Sequence, residues 1–419
     1  MKPPIALFFL ILSSLSAQAQ KDTTSISLDE AEKVFLQNNL EILAARYNID
    51  ANRALIKQAR LWDNPVLNTD QNIYDGKFFQ HNREAGQVYV EVAQLIRTAG
   101  KRNKLAQLAI DNTKISEQQF NDLIRTLRYT LHSDLLSVNQ LLKAKRVYDT
   151  EITELNKLVA GMDVQLQQGN ISLKENMRIK ALLFSLNNEI VGIQSQLIPL
   201  QSEIHLLLQN KDSSFIKPEM NYNFPFLTTT AVPGLNELTD TALAVRGDAQ
   251  SAKTALQFQQ HNLVYQKSLA KADVSVGMEY DQRSTYVPSF VGLQFSLPLN
   301  IFNRNQGNIK SAQYAIKSQQ AATEQAISSI QQEVNKAYTS LKYFQQVNNF
   351  QQLDFSENYD SLFQNMLNSY RERKVSLLEF IDFMDVYKDT KLKLLQQHSN
   401  LVAAADELNY TVGKDIIKL

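Results

Sequence analysis

The chain repeats itself, and no other feature limits its fold as strongly. Residues from Leu28 onward match residues from Leu235 onward at an offset of 207: Leu28 falls on Leu235, Glu30 on Glu237, Leu36 on Leu243, Arg46 on Lys253 and Ile56 on Leu263. VYVEVAQLI (88–96) resembles GLQFSLPLN (292–300) near offset 204. QGNISLKE (168–175) resembles ERKVSLLE (372–379), again at 204, with Ile171 on Val375, Ser172 on Ser376, Leu173 on Leu377 and Glu175 on Glu379. Three matches in one order at nearly constant offset indicate a tandem duplication of about 205 residues. The copies span 20–210 and 235–419. Between them, 211–234 holds three Pro and reads as a connector.

Each copy reads as one helix, two strands, then very long helices. Ser27 with Glu30 forms a capping-box pattern, and the helix it starts is expected to run to about Leu61, before Pro65. No Gly or Pro occurs from Lys101 to Ala160, nor across the 105 residues from Asn308 to Val412. Sixty helical residues alone reach about 90 Å. Leu123, Leu127, Leu131, Leu135 and Val138, then Leu155, Leu158, Met162 and Leu166, recur at three and four, which is coiled-coil spacing. The other faces are rich in Gln, Asn and Ser.

The strands alternate. Val66 to Tyr74 and Val88 to Val92 are the first pair. In the second copy Val274, Val276, Met278 and Tyr280 oppose Ser275, Gly277, Glu279 and Asp281, and Val291, Leu293, Phe295 and Leu297 oppose Gly292, Gln294 and Ser296. Apolar on one side and small or polar on the other is the pattern of a membrane barrel, with the eight apolar residues on its lipid face. A soluble hairpin on a core shows the same alternation. The long helices favour the barrel. Four strands cannot close one alone, and lipid tolerates no open edge, so several chains are expected to share it.

The N-terminus reads as an export leader. Lys2 precedes the apolar run Ile5 to Leu12, and Ala17-Gln18-Ala19 is an A-x-A cleavage pattern, so residues 1–19 are the signal peptide. The apolar run is too short to cross a bilayer. The 43 Lys and Arg balance the 43 Asp and Glu, which gives no support to nucleic acid as a partner. With no Cys, disulfides, thiolate metal sites and a lipidated N-terminal Cys are excluded. No G-x-S-x-G, P-loop or H-E-x-x-H is present, so neither an enzyme nor a cofactor is expected.

Three segments carry a resemblance. SLDEAEKVFLQNNLEILAARYNIDANRALIKQARLWDNPVL (27–67), VGLQFSLPLNIFNRNQGNIKSAQ (291–313) and SYRERKVSLLEFIDFMDVY (369–387) resemble the TolC family of outer-membrane efflux channels. The similarity covers nearly the whole chain after the leader. It implies a mainly α, tandem-duplicated fold, with long helical hairpins and four strands per chain in a 12-stranded barrel shared by a homotrimer. It further implies a tunnel into the periplasm, a periplasmic adaptor and an inner-membrane pump. QLIRTAGKRNKLAQ (94–107) looks like the subset serving heavy-metal cation pumps of the RND type.

The family carries Y-x-x-G-x-x-S/T followed by acids at the tunnel tip. Tyr370 matches the Tyr, Ser376 the hydroxyl residue, and Glu379 with Asp382 the acidic pair that constricts the pore. The resemblance implies raised pKa values for some of these crowded carboxylates. Arg373 replaces the family Gly, which is kept as Gly169 in the first copy; Val375 stands where the type member has its latch Arg. Gly169, Ile171, Ser172, Tyr370, Val375 and Ser376 are therefore the expected tip and adaptor contacts. Glu379 and Asp382, three apart, also suit a plain solvated face. The dispersed histidines 81, 132, 205, 261 and 398 read as packing or surface residues rather than metal ligands. Lys101, Arg102 and Lys104 read as a wet helix start or a headgroup contact, and Trp62 as an interface-belt or a packing residue. The resulting expectation is a passive duct of a tripartite efflux system. A type I secretion exit duct and a soluble periplasmic coiled-coil scaffold are the alternatives.

Overall fold

Ser27 opens the first helix as its sequence predicts. Its side chain accepts the Glu30 N–H, and the Glu30 carboxylate accepts the Ser27 N–H at 3.0 Å. The computed structural model describes residues 23–74, 76–79, 86–212, 214–348 and 351–419, without the side chains of 351–358 and 360. The leader and His81 lie outside the described residues.

The first copy contains β1 (Thr23–Ser27), α1 (Leu28–Asn38), α2 (Leu40–Ala59), β2 (Val66–Gln71), β3 (Val88–Ile96), α3 (Lys101–Gln167) and α4 (Leu173–Leu208). Then come β4 (Phe215–Glu219) and α5 (Phe224–Thr229). The second copy supplies α6 (Leu235–Val245), α7 (Gly247–Leu269), β5 (Val274–Asp281), β6 (Phe290–Ser296), α8 (Gln306–Val347), α9 (Gln351–Arg371) and α10 (Leu377–Val412). At 67 residues, α3 is about 100 Å long. It continues through Gly161 to Gln167, past the Gly- and Pro-free stretch.

The structure corrects the expected first helix. Asn39 breaks it: its backbone is extended, its side chain accepts the N–H groups of Glu41 and Ile42, and its amide donates to the Leu207 carbonyl at 3.0 Å. Arg246 breaks the second copy at the same place, 207 residues on, with φ −62° and ψ 134° against −63° and 122° at Asn39. Gly247 follows because α7 crosses α3 backbone to backbone. A Cβ there would lie 2.2 Å from the Gln118 carbonyl oxygen. The Gly- and Pro-free run in the second copy likewise divides into α8, α9 and α10, turning at 372–376.

The connector is also more structured than its three prolines suggest. β4 pairs in parallel with β1, joining Thr23 to Phe215 and Ser27 to Glu219, and α5 follows it. The described strands therefore number six rather than four. Only four of them form the main sheet, which is antiparallel in the order β2-β3-β5-β6. The two copies meet along β3 and β5, from Tyr89–Asp281 to Ile96–Val274.

The core follows the three-and-four spacing. Leu131, Leu135, Val138 and Leu155 on α3 are fully buried, together with Ile179, Leu186 and Leu197 on α4 and Phe363 and Phe380 on the second hairpin. Each such side chain contributes roughly 1.5–3 kcal/mol relative to exposure. A second cluster joins Ala242 and Ala249 to Val334, Leu341, Leu401 and Leu408. No helix among the described residues is long and apolar enough to cross a membrane.

The charged start of α3 is a structural joint, not a wet helix end. Lys101 is buried; its Nζ donates to the Lys271 carbonyl and pairs with Asp273, both at 2.7 Å. The Arg102 guanidinium lies 3.8 Å above the Trp62 ring, so Trp62 packs at the joint between helices and sheet while keeping an exposed edge. Lys104 caps the Ala99 carbonyl.

Candidate functional site

Two surfaces carry the residues singled out in the sequence: the sheet and the helical tips. In the sheet, register places Val92, Met278 and Leu293 in one row, and Val90, Tyr280 and Val291 in another. Val276 pairs with Phe295, and Val274 with Ile96, on the same face. Met278, Tyr280, Val291, Leu293 and Phe295 are exposed, Phe295 at 70%, whereas Val274 and Val276 are half-buried. Leu297 is exposed just beyond the end of β6. The opposite face carries Asn68, Glu91, Ala93, Gly277, Glu279, Gly292 and Gln294. Tyr89 donates to Glu279 at 3.1 Å and Asn68 to Glu91 at 3.1 Å, so the polar groups of that face bond to one another. Among the described residues nothing pairs the outer edges of β2 and β6.

At the other end α3 turns into α4, and α9 into α10, through one backbone design. Gly169 adopts φ 75°, the Asn170 N–H bonds the Gln165 carbonyl at 2.9 Å, and the Gly169 N–H bonds Leu166 at 3.0 Å. Arg373 adopts φ 56°, Lys374 bonds Ser369 at 2.8 Å, and Arg373 bonds Tyr370 at 3.0 Å. Both are Schellman motifs, 204 residues apart. The left-handed position suits Gly169 and strains Arg373, which keeps the turn although the family glycine is gone. Ser172 and Ser376 then cap the following helices, each with a reciprocal Glu three residues on.

That cap decides the state of Glu379. Its carboxylate accepts the Ser376 N–H at 2.8 Å, and the Ser376 backbone and side chain hold its pKa below the usual value. Within the chain this carboxylate therefore moves opposite to the rise expected from crowding, because a hydrogen bond to the charged form favours it. Asp382 is exposed one turn further along α10, and Asp385 and Asp389 extend the acidic stripe. In the first copy Glu175 caps in the same way, but exposed Arg178 occupies the place of Asp382.

The structure brings the two tips together. Ile171, Tyr370 and Leu377 pack on one core cluster. Tyr370 stacks on Phe380 at 4.6 Å; burial and the neighbouring Glu175 carboxylate raise its pKa. Gly169, Ser172 and Ser376 remain exposed, and Val375 is half-buried. Sequence reasoning missed the contact that spans the hairpins. Arg371, in the last turn of α9, pairs with Glu154 of α3 at 3.5 Å, and Glu154 also holds Lys157 at 2.7 Å. Arg371 was legible only as a basic residue at a helix C-terminus, where the macrodipole already favours it. A further surface feature is a stripe at seven-residue spacing on α4: Met177, Phe184, Val191 and Ile198 are all exposed.

The described histidines do not gather. His132 bridges Glu32 and Asp406, His261 pairs with Asp111 at 2.5 Å, and His398 stacks on Phe224 at 4.4 Å. No group of three potential ligands able to hold a metal ion occurs among the described residues.

The family model for outer membrane efflux proteins matches residues 33–208 and 262–414. A membrane protein from Pseudomonas aeruginosa shares the fold with a TM-score of 0.75 at 16% identity, over 92% of this chain and 93% of that one. CusC, solved in work on folding and transmembrane channel formation, gives 0.75 at 16%, over 96% of both chains. The outer membrane protein VceC of Vibrio cholerae gives 0.72 at 14%, over 93% and 97%. No curated protein sequence matches the chain.

Proposed function

Because this chain belongs to the outer membrane efflux protein family, whose members are channels and not enzymes, we propose that three copies close one barrel and form the passive exit duct of a tripartite efflux assembly. The observation that carries this reading is the four-stranded sheet, apolar on one face and unpaired at both edges. Such a sheet cannot sit in lipid until its edges are joined. Three copies in a ring join β6 of each to β2 of the next and give 12 strands. Val274, Val276, Met278, Tyr280, Val291, Leu293, Phe295 and Leu297 then face lipid, and Glu91 and Glu279 face a wet lumen.

The long hairpins carry the lumen into the periplasm. Glu379 and Asp382 stand around the threefold axis near the tip and focus a negative potential that draws cations. The Ser376 cap keeps Glu379 charged there. Arg371–Glu154 takes the place of the latch that Val375 lacks, tying the second hairpin to the first. Gly169, Ile171, Ser172, Tyr370, Val375 and Ser376 meet a periplasmic adaptor, and the α4 stripe suits its helices. An RND-type inner-membrane pump is the partner favoured by the stretch 94–107. Energy comes from that pump. The domain plan is a leader at 1–19, cleaved after Ala19, then repeats at 20–210 and 235–419 about the connector 211–234.

Two measurements test this. Native mass spectrometry in detergent should show three chains; a monodisperse monomer with full β content would overturn the shared barrel. Reversal potentials in a salt gradient should show cation selectivity that falls in the double variant Glu379→Gln, Asp382→Asn. Unchanged selectivity would return these two residues to a solvated helix face.

A further inference from the structure

The first-copy hairpin (α3 with α4) and the second-copy hairpin (α9 with α10) meet along α3 and α10, and Glu151 lies on α3 at that seam. Only 1% of Glu151 is exposed, and its Oε1 has no hydrogen-bond partner among the described residues. A buried, unpaired carboxylate is costly when charged, so such a group either finds a cation or keeps its proton. The nearby cation is already committed. Lys388 of α10 lies 3.6 Å from Asp385 and 3.8 Å from Asp389, both on its own helix.

The surrounding charges are unbalanced. From α10, Asp385, Lys388 and Asp389 act on Glu151. From α4, Glu189 accepts the hydroxyl of Tyr148 at 3.4 Å, one turn before Glu151 on α3. One turn after it, Glu154 is taken by Lys157 and by Arg371 of α9. Ionising Glu151 therefore adds a buried negative charge beside Asp385 and Asp389, two exposed carboxylates that already share Lys388.

We propose that Glu151 is a proton-operated lock between the two hairpins: with its proton on, α3 and α10 pack; with it off, the seam is driven apart. This rests on the reading of the chain as an exit duct. Only a proton moves, from the buried carboxyl to solvent and back. Burial raises the Glu151 pKa to about 8, with Lys388 opposing and Asp385 and Asp389 adding to the rise. The sign follows from linkage. The packed seam binds the proton more tightly than an opened, solvated one. Its advantage is full below the ordinary carboxylate range and is lost as pH rises to about 8. Over that window the packed-to-open ratio falls about tenfold per pH unit.

The test uses the full-length protein in planar bilayers from pH 5 to 9, with infrared titration of the neutral carboxyl band in the same detergent-purified material. Wild type should conduct more as pH rises to 8 and should lose a carboxyl band over the same range. Glu151→Gln, permanently neutral, should lack that band and stay in the low-conductance state throughout. The double variant Asp385→Asn, Asp389→Asn alters exposed positions only and should shift both midpoints to lower pH. A conductance profile in Glu151→Gln that matches wild type, or a band that survives the substitution, overturns the lock. A wild-type protein that conducts at no pH overturns the duct reading and the gating with it, while a Glu151-dependent band in that case marks the failure as the duct's.

Discussion

The two tips share a backbone and differ inside. Each has a Schellman turn, a serine cap and a reciprocal glutamate at an offset of 204. Behind the first turn, buried Asn176 donates to Asp163 at 2.6 Å, Lys180 pairs with Asp163 at 2.7 Å, and the Asn176 Oδ1 has no partner among the described residues. At the same offset the second hairpin has Phe380, Leu367 and Met384, all buried to 1% or less. Tyr359, Phe363 and Tyr387 extend that interior as stacked rings, Phe363 and Tyr387 at 4.8 Å. The comparison teaches that turn and cap specify the hairpin, while the interior sets how firmly it holds. The polar interior fixes geometry through directional bonds, and the aromatic interior supplies burial.

The largest expected effect is on that aromatic interior. Phe380→Ala should cost about 3–5 kcal/mol, and Asn176→Ala about 1 kcal/mol. Thermal or denaturant midpoints of the two variants measure the contrast, and equal losses would break it. The sheet offers a second pair. Phe295→Arg should cost roughly 2–4 kcal/mol per chain at mid-membrane depth, whereas Ser296→Arg on the opposite face should be mild. The yield of heat-resistant oligomer on gels reads the difference.

A smaller effect separates His132 of the first copy from Lys336 at the same offset in the second. Lys336 is exposed and pairs with Glu407 at 2.9 Å. His132 is buried; burial opposes its charge, but Asp406 and Glu32 outweigh this and raise its pKa to about 9. A raised pKa gives stability that is full below 6.5 and is lost as pH rises through about 9. The rise from 6.5 to about 9 corresponds to at most roughly 3 kcal/mol. Melting curves between pH 6 and 10 should show the loss in wild type and a flatter profile in His132→Gln. Last, Arg373→Gly should stabilise the second tip by about 1 kcal/mol by relieving its left-handed backbone, and Gly169→Arg should destabilise the first by a similar amount. Unfolding midpoints that move together would mean the turns are not equivalent.

Local rules carried a large part of this protein into view. Period-two alternation gave the apolar faces of β5 and β6, because side chains on a strand must alternate. Ser172 and Ser376 were legible as tip residues only through the repeat and the family resemblance, and the structure adds that each caps a helix with a glutamate three residues on. The repeat placed both turns. Glu379 and Asp382 were visible as a one-face pair, but not the cap that holds Glu379 charged. Apart from that cap, what failed locally failed because the deciding partner lay far along the chain. Asn39 breaks a good helical pattern because its amide meets Leu207. Lys101 reads as a wet helix start until Asp273 buries it.

The sequence by itself therefore determined the duplicated plan, the helical hairpins, the strand faces and the turns, since each depends on spacing over a few residues or on self-similarity. Tertiary structure alone decided the pairing of β1 with β4, the close crossing of α3 and α7 at Gly247, the bond between Arg371 and Glu154, and the isolation of Glu151. A side chain's charge and burial depend on which surface packs against it, and that surface comes from residues too distant for any local pattern to name.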